Sequence, residues 1–189
     1  MKSVRLYAYE PASRANGPGL RAVLWFQGCS LGCPGCFNPG THDPNHGPVT
    51  DTAAIAATLA NRANAIEGVS ISGGEPFQQP DALLDLLTRI EGLGLSRLVF
   101  SGYTLTEIQR QPLGPAILAH LDVVIAGRFV QSQPHGKGLI GSANQRIHML
   151  TNRHSIQDFA AIPTAEAILH TDGTITLTGI HPLESRPSS

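Results

Sequence analysis

Apolar and polar positions along this chain follow two periods, and the switches between them mark out its elements. Val4 to Tyr9 reads as a strand, followed by a Gly/Pro-rich loop from Pro11 to Gly19. Arg21 to Phe26 is a second, more apolar run that ends at Gly28 and leads straight into a group of cysteines. A polar, Pro-rich loop covers Asn38 to Pro48. Thr50 or Asp51 is placed to cap a helix in which Ile55, Leu59, Ala63 and Ile66 recur at helical spacing. Val69 to Ser72 is then a short buried strand stopping at Gly73-Gly74. Pro80 at a first helical position and Asp81 in the first turn open the next helix, and Gly94 closes it. Leu83, Leu87 and Ile90 form its buried stripe, widened by Leu84 and Leu86. Arg97 to Phe100 is a strand ending at Ser101-Gly102, Thr104 to Gln111 and Pro115 to His120 are helical, and Asp122 to Ala126 is a strand ending at Gly127.

This alternation predicts an α/β fold with a parallel sheet and right-handed crossovers. Beyond Gly138 the pattern changes. Gln145 to Leu150 is a candidate strand, and Ala165 to His170 with Thr174 to Ile180 flank Asp172-Gly173, a two-residue hairpin signal. The tail from His181 to Ser189 reads as frayed. The expected organisation is a main domain over residues 1–150 and a hairpin extension with its tail over 151–189. No internal repeat or low-complexity tract interrupts it.

Four of the expected strands end in glycine: Gly28, Gly73-Gly74, Gly102 and Gly127. Any one of these is explained by a tight turn between strand and helix. Together, at the carboxyl ends of strands in an α/β fold, they predict a shared rim that admits a ligand.

Composition narrows the function classes. The chain has 189 residues, 41% of them hydrophobic and 14% charged, against about 25% charged in an average globular domain. That suits one packed domain and not a disordered chain. A formal charge of -1 removes the electrostatic case for binding nucleic acid or an anionic membrane. Apolar runs such as Ala22 to Phe26 are far shorter than the ~20 residues of a membrane span. Arg5, Glu10, Pro11 and Arg14 interrupt any signal-peptide core, so a cytoplasmic location is expected.

All 3 cysteines fall between positions 29 and 36, in the run Gly28-Cys29-Ser30-Leu31-Gly32-Cys33-Pro34-Gly35-Cys36-Phe37-Asn38. An odd, clustered set in a reducing compartment points away from disulfides. Three thiolates on one loop can hold three irons of a [4Fe-4S] cube and leave the fourth open to a substrate, whereas electron-transfer clusters use four Cys ligands. Zinc is an alternative, with His42 or His46 as fourth ligand. A redox pair Cys33-Pro34-Gly35-Cys36 is another, although Pro39 and Gly40 make a poor continuation for the helix such a pair requires. Inert cysteines are the third.

The spacing, with a strand-terminal Gly-Gly-Glu after it, resembles the radical S-adenosylmethionine superfamily. The surrounding residues resemble its small activase branch, the anaerobic ribonucleotide reductase activating proteins. The likeness runs from about Trp25 to about Arg146 through Trp25-Phe26-Gln27-Gly28-Cys29, Cys33-Pro34-Gly35-Cys36-Phe37-Asn38, Ser72-Gly73-Gly74-Glu75-Pro76, Ser101-Gly102-Tyr103-Thr104 and Gly141-Ser142-Ala143-Asn144-Gln145-Arg146. It implies an incomplete (βα) barrel with parallel strands, plus the C-terminal hairpin, with cluster and cofactor at the carboxyl rim.

The resemblance further implies that Cys29, Cys33 and Cys36 hold a [4Fe-4S] cluster whose open iron is chelated by S-adenosylmethionine. Gly73 and Gly74 would give a backbone edge to the methionyl ammonium, with Glu75 as a nearby anion. Gly35, Cys36 and Phe37 would lie against the adenine. Reductive cleavage by an electron from a flavodoxin- or ferredoxin-like donor would give a 5'-deoxyadenosyl radical, which takes a hydrogen from a glycine of a partner such as anaerobic ribonucleotide reductase. No protein acid or base is needed, so none is nominated as catalytic.

Two features depart from the branch: the hairpin around Asp172-Gly173 lengthens the chain beyond the compact activases, and one position differs. Ala126 stands where an acidic residue is common, which removes a possible cation or ribose ligand, and Arg128 nearby is expected to pair with the methionine carboxylate or to be a surface cation. Asn144-Gln145-Arg146 is poor core material and is expected to order the pocket or dock the partner, whereas His148 belongs to an apolar strand. Two other functions stay open: a radical enzyme acting on another protein or peptide, and a non-catalytic zinc-binding interaction module.

Overall fold

A computed structural model of the chain describes residues 2–180. Its elements in chain order are β1 (Ser3–Ser13), β2 (Arg21–Phe26), β3 (Val49–Asp51), α1 (Thr52–Ala60), β4 (Gly68–Gly73), α2 (Pro80–Ile90), β5 (Ser96–Ser101), α3 (Leu105–Arg110), α4 (Gly114–Ala119), β6 (Val123–Ala126), β7 (Pro134–Lys137), β8 (Ile140–Ser142), β9 (Arg146–Met149), α5 (Ile156–Ala160), β10 (Ala165–Leu169) and β11 (Ile175–Gly179). Among the described residues no helix is long and apolar enough to cross a membrane.

Seven strands form one sheet in the order β3-β1-β2-β4-β5-β6-β9. Its centre, β2-β4-β5-β6, is parallel, as the strand–helix alternation predicts. β1 runs antiparallel to both β2 and β3, and β9 antiparallel to β6. The fold is thus mixed α/β, and β3 and β9 are the two ends of its sheet. β10 and β11 pair with each other in the predicted hairpin, with Leu169 opposite Ile175 beside the turn.

Helices α1 to α4 cover one face of this sheet. α2 starts at Pro80 with Asp81 in its first turn, and Leu83, Leu86, Leu87 and Ile90 are fully buried against Leu24, Phe26, Ile71, Val99 and Val124. A period of 3.6 puts those four leucine and isoleucine positions on a single stripe, and their removal from water is the main drive for docking the helix. Asp51 caps α1 by accepting the Ala53 amide at 2.9 Å. α1 stops at Ala60, short of the predicted periodic run, and Ile66 is buried from the turn that follows. Thr104 and Glu107 form a reciprocal capping box at α3.

Arg21, an inward position on β2, is fully buried. Its guanidinium donates to Ser70 Oγ, the carbonyls of Pro18, Val69 and Ser96, and Ser96 Oγ. Burial pulls its pKa down to about 10, so it stays charged at neutral pH, satisfied by neutral acceptors. It ties the Gly-rich loop before β2 to the amino ends of β4 and β5, the end of the sheet opposite the cysteines.

The other face is lined by Trp25, Ser72, Phe100 and Ile125, and by Ala8 of β1. Toward its far end Leu98, Val123 and Ile125 pack with Leu139 and Phe159. Those last two come from elements the sequence pattern does not predict, the β7–β8 hairpin and α5. The hairpin Pro134-His135-Gly136-Lys137 has no alternating apolar signal, and its turn places Leu139 at φ 70°, a conformation disfavoured for leucine. Burial of the Leu139 side chain, only 5% exposed, offsets that cost. β1 also runs on to Ser13, through residues expected as loop. The tail from His181 to Ser189 lies outside the described residues.

Candidate functional site

β2 ends at Phe26, and the chain then makes a closed loop back to the same sheet end. The Gly28 amide donates to the Thr41 carbonyl at 2.7 Å, Cys29 to His42 at 3.1 Å, and Cys36 to Cys33 at 3.2 Å. Gln27, buried at the strand end, sends its amide to the carbonyls of Gly40 and Asp43. The three cysteines are free, half-buried, and carried on this loop.

All three line one cavity of about 420 Å³ at the carboxyl ends of the parallel strands, together with Phe37, Gly73, Gly74, Glu75, Gly102 and Gly127. The expected glycine rim is present, except that Gly28 faces Pro44 and not the cavity. Of the residues expected at the cofactor, Cys36, Phe37, Gly73, Gly74 and Glu75 line it, while Gly35 and Arg128 do not. Gly35 packs against Gln131. The Arg128 guanidinium is held by both oxygens of Glu107 at 3.0 Å and lies over the Tyr103 ring. Its pairing with a cofactor carboxylate therefore has no support from its position.

The Gly-Gly-Glu segment has a role that spacing does not reveal. A Cβ on Gly73, whose φ is 105°, would sit 2.3 Å from the Phe26 carbonyl oxygen, and one on Gly74 would sit 2.2 Å from that of Gly28. The space is filled by the adjacent chain. Gly74 donates its amide to Phe26 and Glu75 donates to Gly28, at 2.8 and 2.9 Å, so this segment clamps the entry to the cysteine loop. The Glu75 carboxylate is completely buried and accepts from the amides of Phe77 and Gly102 and the hydroxyl of Ser101. Burial pushes its pKa up to about 7 against those three donors and Arg128. In this arrangement its lone pairs are largely committed to the protein.

Two residues outside the expected set hold the loop. Gln78 accepts the Ser30 amide and donates to Ser30 Oγ and the Tyr103 hydroxyl. Gln79 joins Arg5 to Gln27 in the same manner. The adjacent Gln78-Gln79 pair, directly after a strand-terminal motif, was the available signal. Asn144 and Gln145 do order the rim, through Ser142 and the carbonyls of Arg128 and Gly127. Arg146 is exposed, and its guanidinium donates to the nearby carbonyls of Ala143 and Gln145. His148 sits in β9 opposite Val124, and burial lowers its pKa. Ala126 is packed into the helix-covered core, so a side chain there faces the helices and not the cavity.

The donor set fits a cationic iron–sulfur core. No described residue lining the cavity is Lys or Arg, and burial, with Glu75, Cys36 and Cys33 nearby, raises the Cys29 pKa. A positive metal core is what would favour three thiolates here. Among the described residues no three His, Cys, Asp or Glu side chains are grouped for a single metal ion; a cube takes each thiolate on a separate iron.

Comparison with known proteins agrees. The family described as a 4Fe-4S single cluster domain matches residues 15–148. The anaerobic ribonucleoside-triphosphate reductase-activating protein of Vibrio cholerae is 34% identical over 155 residues, covering 77% of this chain and 97% of that protein. The protein of the same name from Escherichia coli K12 is 34% identical over 154 residues, covering 76% and 97%. That of Enterobacteria phage T4 is 27% identical, covering 72% and 88%. The solved structure of QueE from Escherichia coli superposes with a TM-score of 0.43 at 18% identity over 54% of each chain, too weak a likeness to carry an argument. With this identity over nearly the full length of its relatives, the chain belongs to the family of anaerobic ribonucleoside-triphosphate reductase-activating proteins.

Proposed function

We propose that this chain is a radical S-adenosylmethionine activase that installs a glycyl radical on an anaerobic ribonucleoside-triphosphate reductase. The observation that carries the reading is the placement of Cys29, Cys33 and Cys36 on one loop, on the wall of a glycine-rimmed cavity at the ends of parallel strands, in a member of this family. The bound cluster and S-adenosylmethionine would supply the chemistry: one electron, from a flavodoxin- or ferredoxin-like donor, splits the sulfonium into methionine and a 5'-deoxyadenosyl radical.

The protein's part is to bind, orient and exclude water. Cys29, Cys33 and Cys36 would each take one iron. The Gly73–Glu75 segment and Gln78 fix the loop that carries them, and Phe37, packed at a tilt against Phe129 with ring centroids 4.5 Å apart, walls the side expected to face the adenine. The seven-stranded sheet, with a main unit over residues 1–150 and an extension over 151–189, is read as a partial barrel around that cavity. The reducing chemistry suits the cytoplasm.

Anaerobic reconstitution tests this. A brown protein with roughly four irons per chain, cleaving S-adenosylmethionine reductively and leaving a glycyl radical signal on the reductase, is the expected result. Cys29→Ala, Cys33→Ala or Cys36→Ala should each abolish it. A colourless protein holding one zinc would overturn the reading.

A further inference from the structure

The family match ends at residue 148, and the relatives are covered almost end to end while about a quarter of this chain lies outside the alignments. β10–β11 lies beyond the end of the family match and borders the site: Thr176, Leu177, Thr178, Gly179 and Ile180 line the same cavity as the cysteines.

Its attachment is polar. One carboxylate oxygen of Glu166 accepts from Ser13 Oγ at 2.6 Å and from the amides of Arg14 and Ala15 at 2.9 and 3.2 Å. Asn16 donates to Thr178 Oγ1 at 3.0 Å, and His170 lies 3.4 Å from Glu10. The large apolar residues at the hairpin tip, Leu169 and Ile175, are 74% and 64% exposed. Among the described residues β10 and β11 pair only with each other. An element held by hydrogen bonds exchangeable with water, with its apolar side chains outside the core, opens at low cost.

The cavity is also small. At about 420 Å³ it lies near the lower end of the ~300–1,000 Å³ of small-ligand pockets. A cluster and a nucleoside-sized cofactor would take up most of that volume, so a peptide segment needs the wall formed by β11 to move aside. Resting on the activase reading, we propose that the β10–β11 hairpin is a cover latched by Glu166 onto the loop after β1, and that the glycine-bearing segment of the reductase displaces it, meeting the exposed Leu169–Ile175 pair first.

Trp25 is the single tryptophan of the chain and shares this cavity wall with β11, so its fluorescence reports opening without any cofactor turnover. In the full chain, Glu166→Ala should make Trp25 roughly twofold more quenchable by acrylamide and speed amide exchange in β11 roughly tenfold, with β4 and β5 unchanged, as expected for losing bonds to a charged acceptor. Thr178→Val, which keeps the shape and removes the Asn16 bond, should do the same to a smaller degree. Added reductase should speed amide exchange in wild-type β11, the strand it displaces. Unchanged quenching and exchange in both variants, or protection of β11 when the reductase binds, would overturn the cover. If the variants open it and the reductase has no effect, displacement by this partner is overturned. Failure of cluster assembly or cofactor cleavage would instead count against the activase reading.

Discussion

The Glu75 carboxylate receives the Gly102 amide at 2.7 Å, joining the segment after β4 to the end of β5. Its other oxygen accepts Phe77 N–H and Ser101 O–H. A motif glutamate that looks from the sequence like a ligand for a cation is thus the buried peg on which two strand ends and, through its own amide, Gly28 are hung.

Glu75→Gln keeps the shape but replaces an acceptor oxygen by a donor, so at least one buried N–H or O–H loses its partner. The expected cost is about 1–3 kcal/mol. Thermal unfolding of the cluster-free protein should fall by roughly 2–4 °C per kcal/mol. An unchanged midpoint would contradict the peg.

Gly74→Ala should be worse, because its new Cβ meets backbone: Gly28 oxygen at 2.2 Å and its carbonyl carbon at 2.7 Å. Overpacking against atoms that cannot rotate away is expected to cost about 3 kcal/mol or more and to displace the cysteine loop. Gly92→Ala is the control, since nothing lies within 4 Å of its Cβ position and the change should be neutral or mildly stabilising. Denaturant midpoints of the two variants, measured side by side, decide it.

Gln78→Leu removes two bonds to Ser30 of the cysteine loop and one to the Tyr103 hydroxyl, and leaves the sheet intact. Iron of the reconstituted protein should pass to a chelator several-fold faster, on the order of one lost hydrogen bond's worth of loop stability. The thermal midpoint of the cluster-free form should move by no more than about 2 °C. Equal iron-loss rates would show that the loop does not depend on this side chain.

Arg128 beside Glu107, helped by the Thr104 amide and hydroxyl, lowers the Glu107 pKa from 4.5 to about 2. A depressed carboxylate stabilises the fold above its unfolded pKa and loses that contribution as pH falls. Wild type should therefore exceed Glu107→Gln in stability above about pH 4.5, with the gap closing toward pH 2. Solvent exposure of both partners keeps the gap small and salt-sensitive. A gap that widens on acidification would reverse the sign argued here.

Local chemistry made much of this molecule legible. α2 is announced by Pro80, Asp81 and a leucine stripe, and the β10–β11 hairpin by Asp172-Gly173 between two alternating runs, because those signals act within a few residues. The β7–β8 hairpin is silent for the opposite reason: its strands are polar, and Leu139 holds a disfavoured backbone only because its side chain finds Phe159 and the far end of the sheet. Arg128 could not be placed from its neighbours in sequence, since its partner Glu107 comes from α3.

The amino-acid order alone determined the alternation that makes the central sheet parallel, the three thiols on one loop and the glycines at the strand ends, all consequences of short-range geometry and spacing. Tertiary packing decided what the glycines are for, that Ala126 faces the helices and not the cavity, and that the hairpin lines the cavity beside the cysteines. Those outcomes depend on which backbone or side chain arrives from a distant segment to fill a given space, and no local pattern carries that information.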